Sequence, residues 1–255
     1  MNSETASDNA IGMACHCGTC STEPAGHEKD LGLARRGFLR GAITGTVVGV
    51  LAGATVARIP PASAQSTLTP EAALKALMDG NERYVGGQLQ SLNEDLSILK
   101  AKTAEKQEPF AAVLSCADSR VPVELVFDQS IGHLFVVRVA GNVATPEITA
   151  SLEYGVAVLG TKVLMVLGHG NCGAVKATIE GKAVPGQISA LYAPIRPAVD
   201  AAGPDLNAAI DANAKIQANL LSKASPIING AIKDGKLKVV PARYDIVSGK
   251  VSLFA

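Results

Sequence analysis

Two cysteines, one histidine and an Asp–Arg pair carry the chemistry open to this chain. Cys116 begins Cys116-Ala117-Asp118-Ser119-Arg120, and His169-Gly170-Asn171-Cys172 follows farther along. His-x-x-Cys can close around a single metal within one turn, and Cys116 adds a third ligand from another loop. Two thiolates and an imidazole suit tetrahedral Zn²⁺ with one position left open. That is a catalytic arrangement, since a structural site would bring a fourth Cys or His. Of the candidates for a fourth ligand, His133 reads as solvated or capping. Asp118 can either reach the metal or pair bidentately with Arg120. As a bare surface ion pair, Asp118–Arg120 would be worth little; beside a metal ligand it reads as part of the site.

The elements that must position these residues alternate in type. Phe110–Leu114, Leu134–Val139 and Val163–Leu167 are short apolar runs bounded by turn residues, the pattern of buried strands. Residues 70–86 have helical periodicity, with Thr69 as N-cap and Pro70 at the first position. Further helices are expected at about 91–106, 146–159 and 173–181, and one long helix from 206 to about 233. Residues 190–215 have an Ala-rich character. Leu237–Val240, Ala242–Val247 and Lys250–Phe254 read as a strand and a hairpin turning at Ser248-Gly249. The fold class is α/β, a central, mainly parallel β-sheet flanked by helices on both faces. Cys116 and the His169/Cys172 pair then both fall just past the carboxyl ends of strands, where such sheets build their sites.

Composition sets the outer limits. The chain has 255 residues, 47% of them hydrophobic, with 23 basic against 23 acidic side chains. That length can bury a substantial core, and zero net charge gives no electrostatic footprint for nucleic acid. Residues 1–64 read as an address and 65–255 as one catalytic domain. Arg35-Arg36-Gly37-Phe38-Leu39 precedes an uncharged run, Gly41–Ala57, and then Ala62-Ser63-Ala64. A basic segment, a modest apolar stretch and an A-x-A site describe a bacterial export signal cleaved after Ala64. The paired arginines make it similar to twin-arginine signals, implying that export machinery as partner and a periplasmic or secreted product. The alternative is an uncleaved membrane anchor, with Gly41, Gly45, Gly49 and Gly53 on one helix face. Cys15, Cys17 and Cys20 lie in this segment and read as part of a tail lost with the signal, with metal binding as the other reading.

Ser-Cys-Ala-Asp-Ser-Arg at 115–120 followed by His-Gly-Asn-Cys-Gly at 169–173 resembles the β-class carbonic anhydrases. Val137-Arg138-Val139-Ala140-Gly141-Asn142 and Glu153-Tyr154-Gly155 match as well. The resemblance runs from about residue 70 to the segment Tyr244…Gly249…Val251. It implies one zinc per subunit on Cys116, His169 and Cys172, with Asp118 and Arg120 as the catalytic dyad and Asp118 as fourth ligand in a closed state. Gln107 is implied to donate to substrate across a subunit interface, so a homodimer or tetramer is expected. Phe135, Ala140, Tyr154 and Gly173 would surround a small apolar substrate. The implied reaction is reversible hydration of carbon dioxide to bicarbonate by hydroxide generated at the zinc. Carbon disulfide or carbonyl sulfide hydrolysis is the alternative on the same ligands, and a non-catalytic zinc-stabilised module a more distant one. The chain has no Trp, so the tryptophan-containing regulatory bicarbonate site of some relatives is not expected.

Overall fold

The apolar runs become strands in a computed structural model, which describes residues 66–93 and 96–254. Four strands lie parallel: β1 (Ala111–Ser115), β2 (Leu134–Arg138), β3 (Val163–His169) and β4 (Lys238–Tyr244). β5 (Val251–Leu253) pairs antiparallel with β4, and the order is β2-β1-β3-β4-β5. β1 and β3 are buried at every residue, as central strands covered on both faces must be. The expected α/β class is the observed one.

Residues alternate between two cores along these strands, following the two-residue period of extended chain. Ala111, Val113, Met165 and Leu167 pack with Ala73 and Leu77 of α1 (Pro70–Val85) and with Val123 and Val126 of α3 (Val123–Val126). Ala112, Leu114, Leu164 and Val166 face the other way. There they meet Leu152 of α4 (Pro146–Ala157), Ala214, Ala218 and Leu221 of α7 (Leu206–Ala224) and Ile228 of α8 (Pro226–Lys233). Each fully buried Leu or Met contributes about 2 kcal/mol. A third cluster, with Val175 of α5 (Gly173–Glu180), Ile195 and Val199 of α6 (Tyr192–Ala202) and Ile210 of α7, surrounds Cys116 and Cys172.

Polar side chains, most of them buried, tie α1 down. The Thr69 hydroxyl accepts from the Ala72 N–H, capping the helix as expected. Asn81 donates to the carbonyls of Val126 and Gly249 and accepts from the N–H of Val251. Gly80 has to lack a side chain, because a Cβ there would stand 1.8 Å from the Phe127 carbonyl oxygen. Asp128, its side chain fully buried, accepts from Arg83 and from the backbone N–H groups of Gln90 and Ser91, so it anchors the segment that leaves α1.

Several boundaries differ from expectation. The helix expected over 91–106 is a single turn at Ser91–Asn93 and then α2 (Leu96–Thr103), with Leu92 and Leu96 exposed. The long helix expected from 206 divides at Ser225, where Pro226 stops one helix and starts another; the Ser225 hydroxyl caps α8 through the Ile228 N–H. α6 forms in the Ala-rich stretch, and the two C-terminal runs merge into the single strand β4 through Pro241. That proline lies just outside the β4–β5 ladder, where a missing N–H is tolerated. Residues 1–64, expected from the sequence to be an export signal, and with them Cys15, Cys17 and Cys20, lie outside the described residues. Among the described residues, no helix is long and apolar enough to cross a membrane.

Candidate metal centre

β1 and β3 are hydrogen-bonded neighbours with Ser115 opposite Leu167, so the residues just past them emerge side by side. Cys116 follows β1, His169 ends β3, and Cys172 is the N-cap of α5. Between the last two, Asn171 takes a left-handed φ of 56°, a conformation Asn adopts more readily than most residues, and this turns the chain into α5. The sulfurs of Cys116 and Cys172 and a ring nitrogen of His169 lie within 4.8 Å of one another, with all three residues buried.

The His169 ring is already oriented. Its Nδ1 lies 3.0 Å from the Gly170 carbonyl oxygen, a contact that assigns the proton to Nδ1 and leaves a lone pair on Nε2. Nε2 is buried and has no hydrogen-bond partner among the described residues. Leaving such an atom unpaired costs about 1–3 kcal/mol, whereas a metal would take its lone pair. The orphaned nitrogen, the two thiols and their spacing fit a soft or borderline divalent ion, zinc above all.

The two thiols move each other's acidity in opposite directions. Hydrogen bonding from Cys172 draws the Cys116 thiol down to about 4 against the opposing effect of burial, with help from the Gly141 N–H. Cys172 is pushed up correspondingly, by its bond to Cys116 and by burial, while the N–H groups of Val175 and Ala174 at the start of α5 oppose that rise. Of the two, Cys116 is the readier thiolate, and the N-terminus of α5 works against the rise at Cys172.

Asp118 faces this cluster. One of its carboxylate oxygens lies 3.8 Å from His169 Nε2, but its close partner is Arg120, whose Nε and Nη2 donate at 2.9 and 2.8 Å. That fork, with the Arg120 N–H, holds the carboxyl well below the usual carboxylate range. Of the two partners open to Asp118, the geometry has it on Arg120. Arg120 Nη2 also donates to the Asn171 carbonyl, joining the two ligand loops.

Arg138 is a site residue that the sequence reading passed over except as part of a motif. Its Nε donates to the Cys116 carbonyl at 2.9 Å and its Nη2 to the Asp118 carbonyl at 2.6 Å, fixing the 116–117 and 118–119 peptides. It ends β2 in register opposite Ser115, a placement that only the folded sheet shows.

The remaining expected residues are spread out. Ala140 adjoins Gly141, and Gly173 begins α5 beside Cys172 with open space where a Cβ would point. Phe135 and Tyr154 pack on each other, ring centroids 6.2 Å apart, on the edge strand β2 and on α4. Phe135 pairs with Ala112, three residues back from the Arg138 end of its strand. Gln107 is exposed in the segment before β1, and its side chain has no hydrogen-bond partner among the described residues. His133 is exposed with its ring against Phe110.

Residues 111–251 match the family model described as carbonic anhydrase. Carbonic anhydrase 2 of Mycobacterium tuberculosis is 35% identical over 192 residues, spanning 72% of this chain and 92% of that protein. The carbonic anhydrase of Mycolicibacterium smegmatis is 42% identical over 134 residues, 51% of this chain and 65% of that one. Among solved structures, the Coccomyxa β-carbonic anhydrase in complex with acetazolamide superposes with a TM-score of 0.56 at 28% identity, covering 71% of this chain and 86% of that chain. A β-carbonic anhydrase from Sordaria macrospora, described as tetrameric, shares the fold at a TM-score of 0.58 and 22% identity, covering 71% and 96%. With the match spanning the sheet and both ligand loops, the chain belongs to the β-class carbonic anhydrases.

Proposed function

We propose that this chain catalyses the reversible hydration of carbon dioxide to bicarbonate at a zinc ion held by Cys116, His169 and Cys172. The observation that carries the reading is the buried Cys-His-Cys cluster, with an unpaired His169 Nε2 and a carboxylate beside it. Zinc in such a site supplies a Lewis acid that makes water nucleophilic near neutral pH.

The chain's own residues do the rest. Asp118 is kept ionised by Arg120 and accepts a hydrogen bond from the attacking water. Arg120 holds that carboxylate in one orientation and leaves the fourth metal position to solvent and substrate. Gln107, from a neighbouring subunit, donates to the substrate oxygen that gains charge. Ala140, Phe135 and Tyr154 offer apolar surface to a linear, apolar molecule. Residues 1–64 export the folded enzyme to the periplasm, a reading supported by Arg35-Arg36 and Ala62-Ser63-Ala64.

The test is metal analysis with a carbon dioxide hydration assay on cytoplasmic and periplasmic fractions. One zinc per chain and activity in the periplasmic fraction are expected, and Cys172→Ser should lose both. Stoichiometric zinc in Cys172→Ser would refute the ligand set; activity confined to the cytoplasm would refute export.

A further inference from the structure

α7 crosses behind the site and is apolar where it is buried, through Ala209, Ile210, Ala214, Ala218 and Leu221, except at two amides. Asn213 and Gln217 are each 1% exposed and stand one helical turn apart. The Gln217 Nε2 donates to Asn213 Oδ1 at 3.3 Å and to the Pro194 carbonyl at 3.0 Å, and its Oε1 accepts from the Ala144 N–H at 2.9 Å. Asn213 Nδ2 donates to the Gly141 carbonyl at 2.8 Å. The pair thus grips the 141–144 loop at two points.

Gly141 is also where that loop touches the metal cluster. Its N–H donates to the Cys116 sulfur at 3.3 Å, in a buried contact. Its φ of +77° and the 2.7 Å that would separate a Cβ from Ile195 Cδ1 leave room for glycine alone. A glycine has no side chain to fix the peptides on either side of it, so their placement depends on what holds them. The 141–142 peptide is held on both edges, its carbonyl by Asn213 and its N–H by the Val139 carbonyl at 2.9 Å.

We infer that Asn213 is a positioning residue for the metal centre: by holding the Gly141 carbonyl it pins the turn at Gly141, and so keeps the N–H on the other side of that Cα within reach of the Cys116 sulfur. The inference rests on the reading of Cys116 as a zinc ligand. An N–H donated to a coordinating thiolate withdraws charge from the sulfur, which lowers its lone-pair energy and tunes the metal it holds. Partners of this outer kind typically alter metal affinity 10–100-fold.

The experiment compares wild type, Asn213→Leu and Asn81→Leu. Asn213→Leu keeps the side-chain volume but removes the donor. Asn81→Leu removes an equally buried amide that ties α1 to the far end of the chain. Each protein is loaded with cobalt in place of zinc, and the sulfur-to-cobalt charge-transfer band, the zinc dissociation constant and the urea midpoint are measured. Asn213→Leu should move the band to lower energy and weaken zinc binding by about 10–100-fold. Asn81→Leu should lower the urea midpoint with band and affinity unchanged. An unshifted band and unchanged affinity in a folded Asn213→Leu overturn the positioning role while leaving the ligand set standing. A wild type that takes up no metal overturns the ligand set and this inference together. Should Asn213→Leu not fold, wild type loaded with ¹¹³Cd decides the matter. Scalar coupling between ¹¹³Cd and the Gly141 amide proton is expected, and its absence means that Asn213 has nothing to position.

Discussion

At the scale of single residues, the site depends on groups holding other groups in one orientation. Asp118 is useful only if it points one way, and the two parallel bonds from Arg120 fix that direction. A lysine would keep the charge and lose the fork. Arg120→Lys should therefore retain zinc but lower kcat/KM by about a hundredfold, the scale of a misdirected acid–base group. Steady-state kinetics with metal analysis on the same sample checks this, and a variant with wild-type kcat/KM would remove Arg120 from the mechanism. The three metal-ligand candidates and the Asp118–Arg120 pair were legible in the sequence because their residue types point to a chemistry and Cys116-x-Asp118-x-Arg120 and His169-x-x-Cys172 are each locally spaced. Arg138, Gly141 and Asn213 were not. They act through backbone carbonyls and an N–H, and only the folded register shows which peptides those are.

At the scale of elements, terminal contacts decide how α1 seats on the sheet. Asp128 is the hub after α1. Burial raises its carboxyl, but bonds from Arg83, Ser91 and Gln90 outweigh that and bring it down to about 2. A carboxylate depressed from an ordinary value near 3.9 stabilises the fold fully above that value, and the stabilisation is lost as pH falls through the folded value. The contribution is about 2 kcal/mol at neutral pH, fading between about pH 4 and 2. Asp128→Asn, which tolerates the same left-handed backbone (φ 46°), should be less stable than wild type by that amount at pH 7 and approach it at pH 3. Urea denaturation at the two pH values measures the gap, and a gap independent of pH refutes the assignment. Strands and α1 were readable because apolar runs and caps are local signals. The break at Ser225-Pro226 was announced by its proline yet overridden by an Ala-rich pattern. α6 went unread because its apolar face, Ile195, Ala198 and Val199, has meaning only against α5 and α7.

At the scale of the whole molecule, the described chain leaves apolar surface uncovered. α2 buries none of its residues, and Leu92, Leu96, Ile98 and Ile131 are between 47% and 70% exposed. Gln107 follows this same region and has no partner within its own described chain. A second copy seated here would cover the patch and give Gln107 a site to complete. Activity should fall on dilution in step with dissociation followed by sedimentation, and Gln107→Ala should lower kcat/KM without changing zinc content. A fully active monomer would show each chain to be sufficient alone.

The three donor atoms stand at and just past the ends of β1 and β3, two strands that are adjacent in the sheet though far apart in sequence. Paired strands lie about 4.8 Å apart, the span within which the three ligand atoms fall. The backbone ladder is thus the ruler of the coordination site. Sliding β1 by one residue against β3 would send Cys116 to the opposite face of the sheet, beyond reach of His169 and Cys172. Only a correctly registered sheet brings the three donors together, so strand alignment sets whether the cluster could close around an ion.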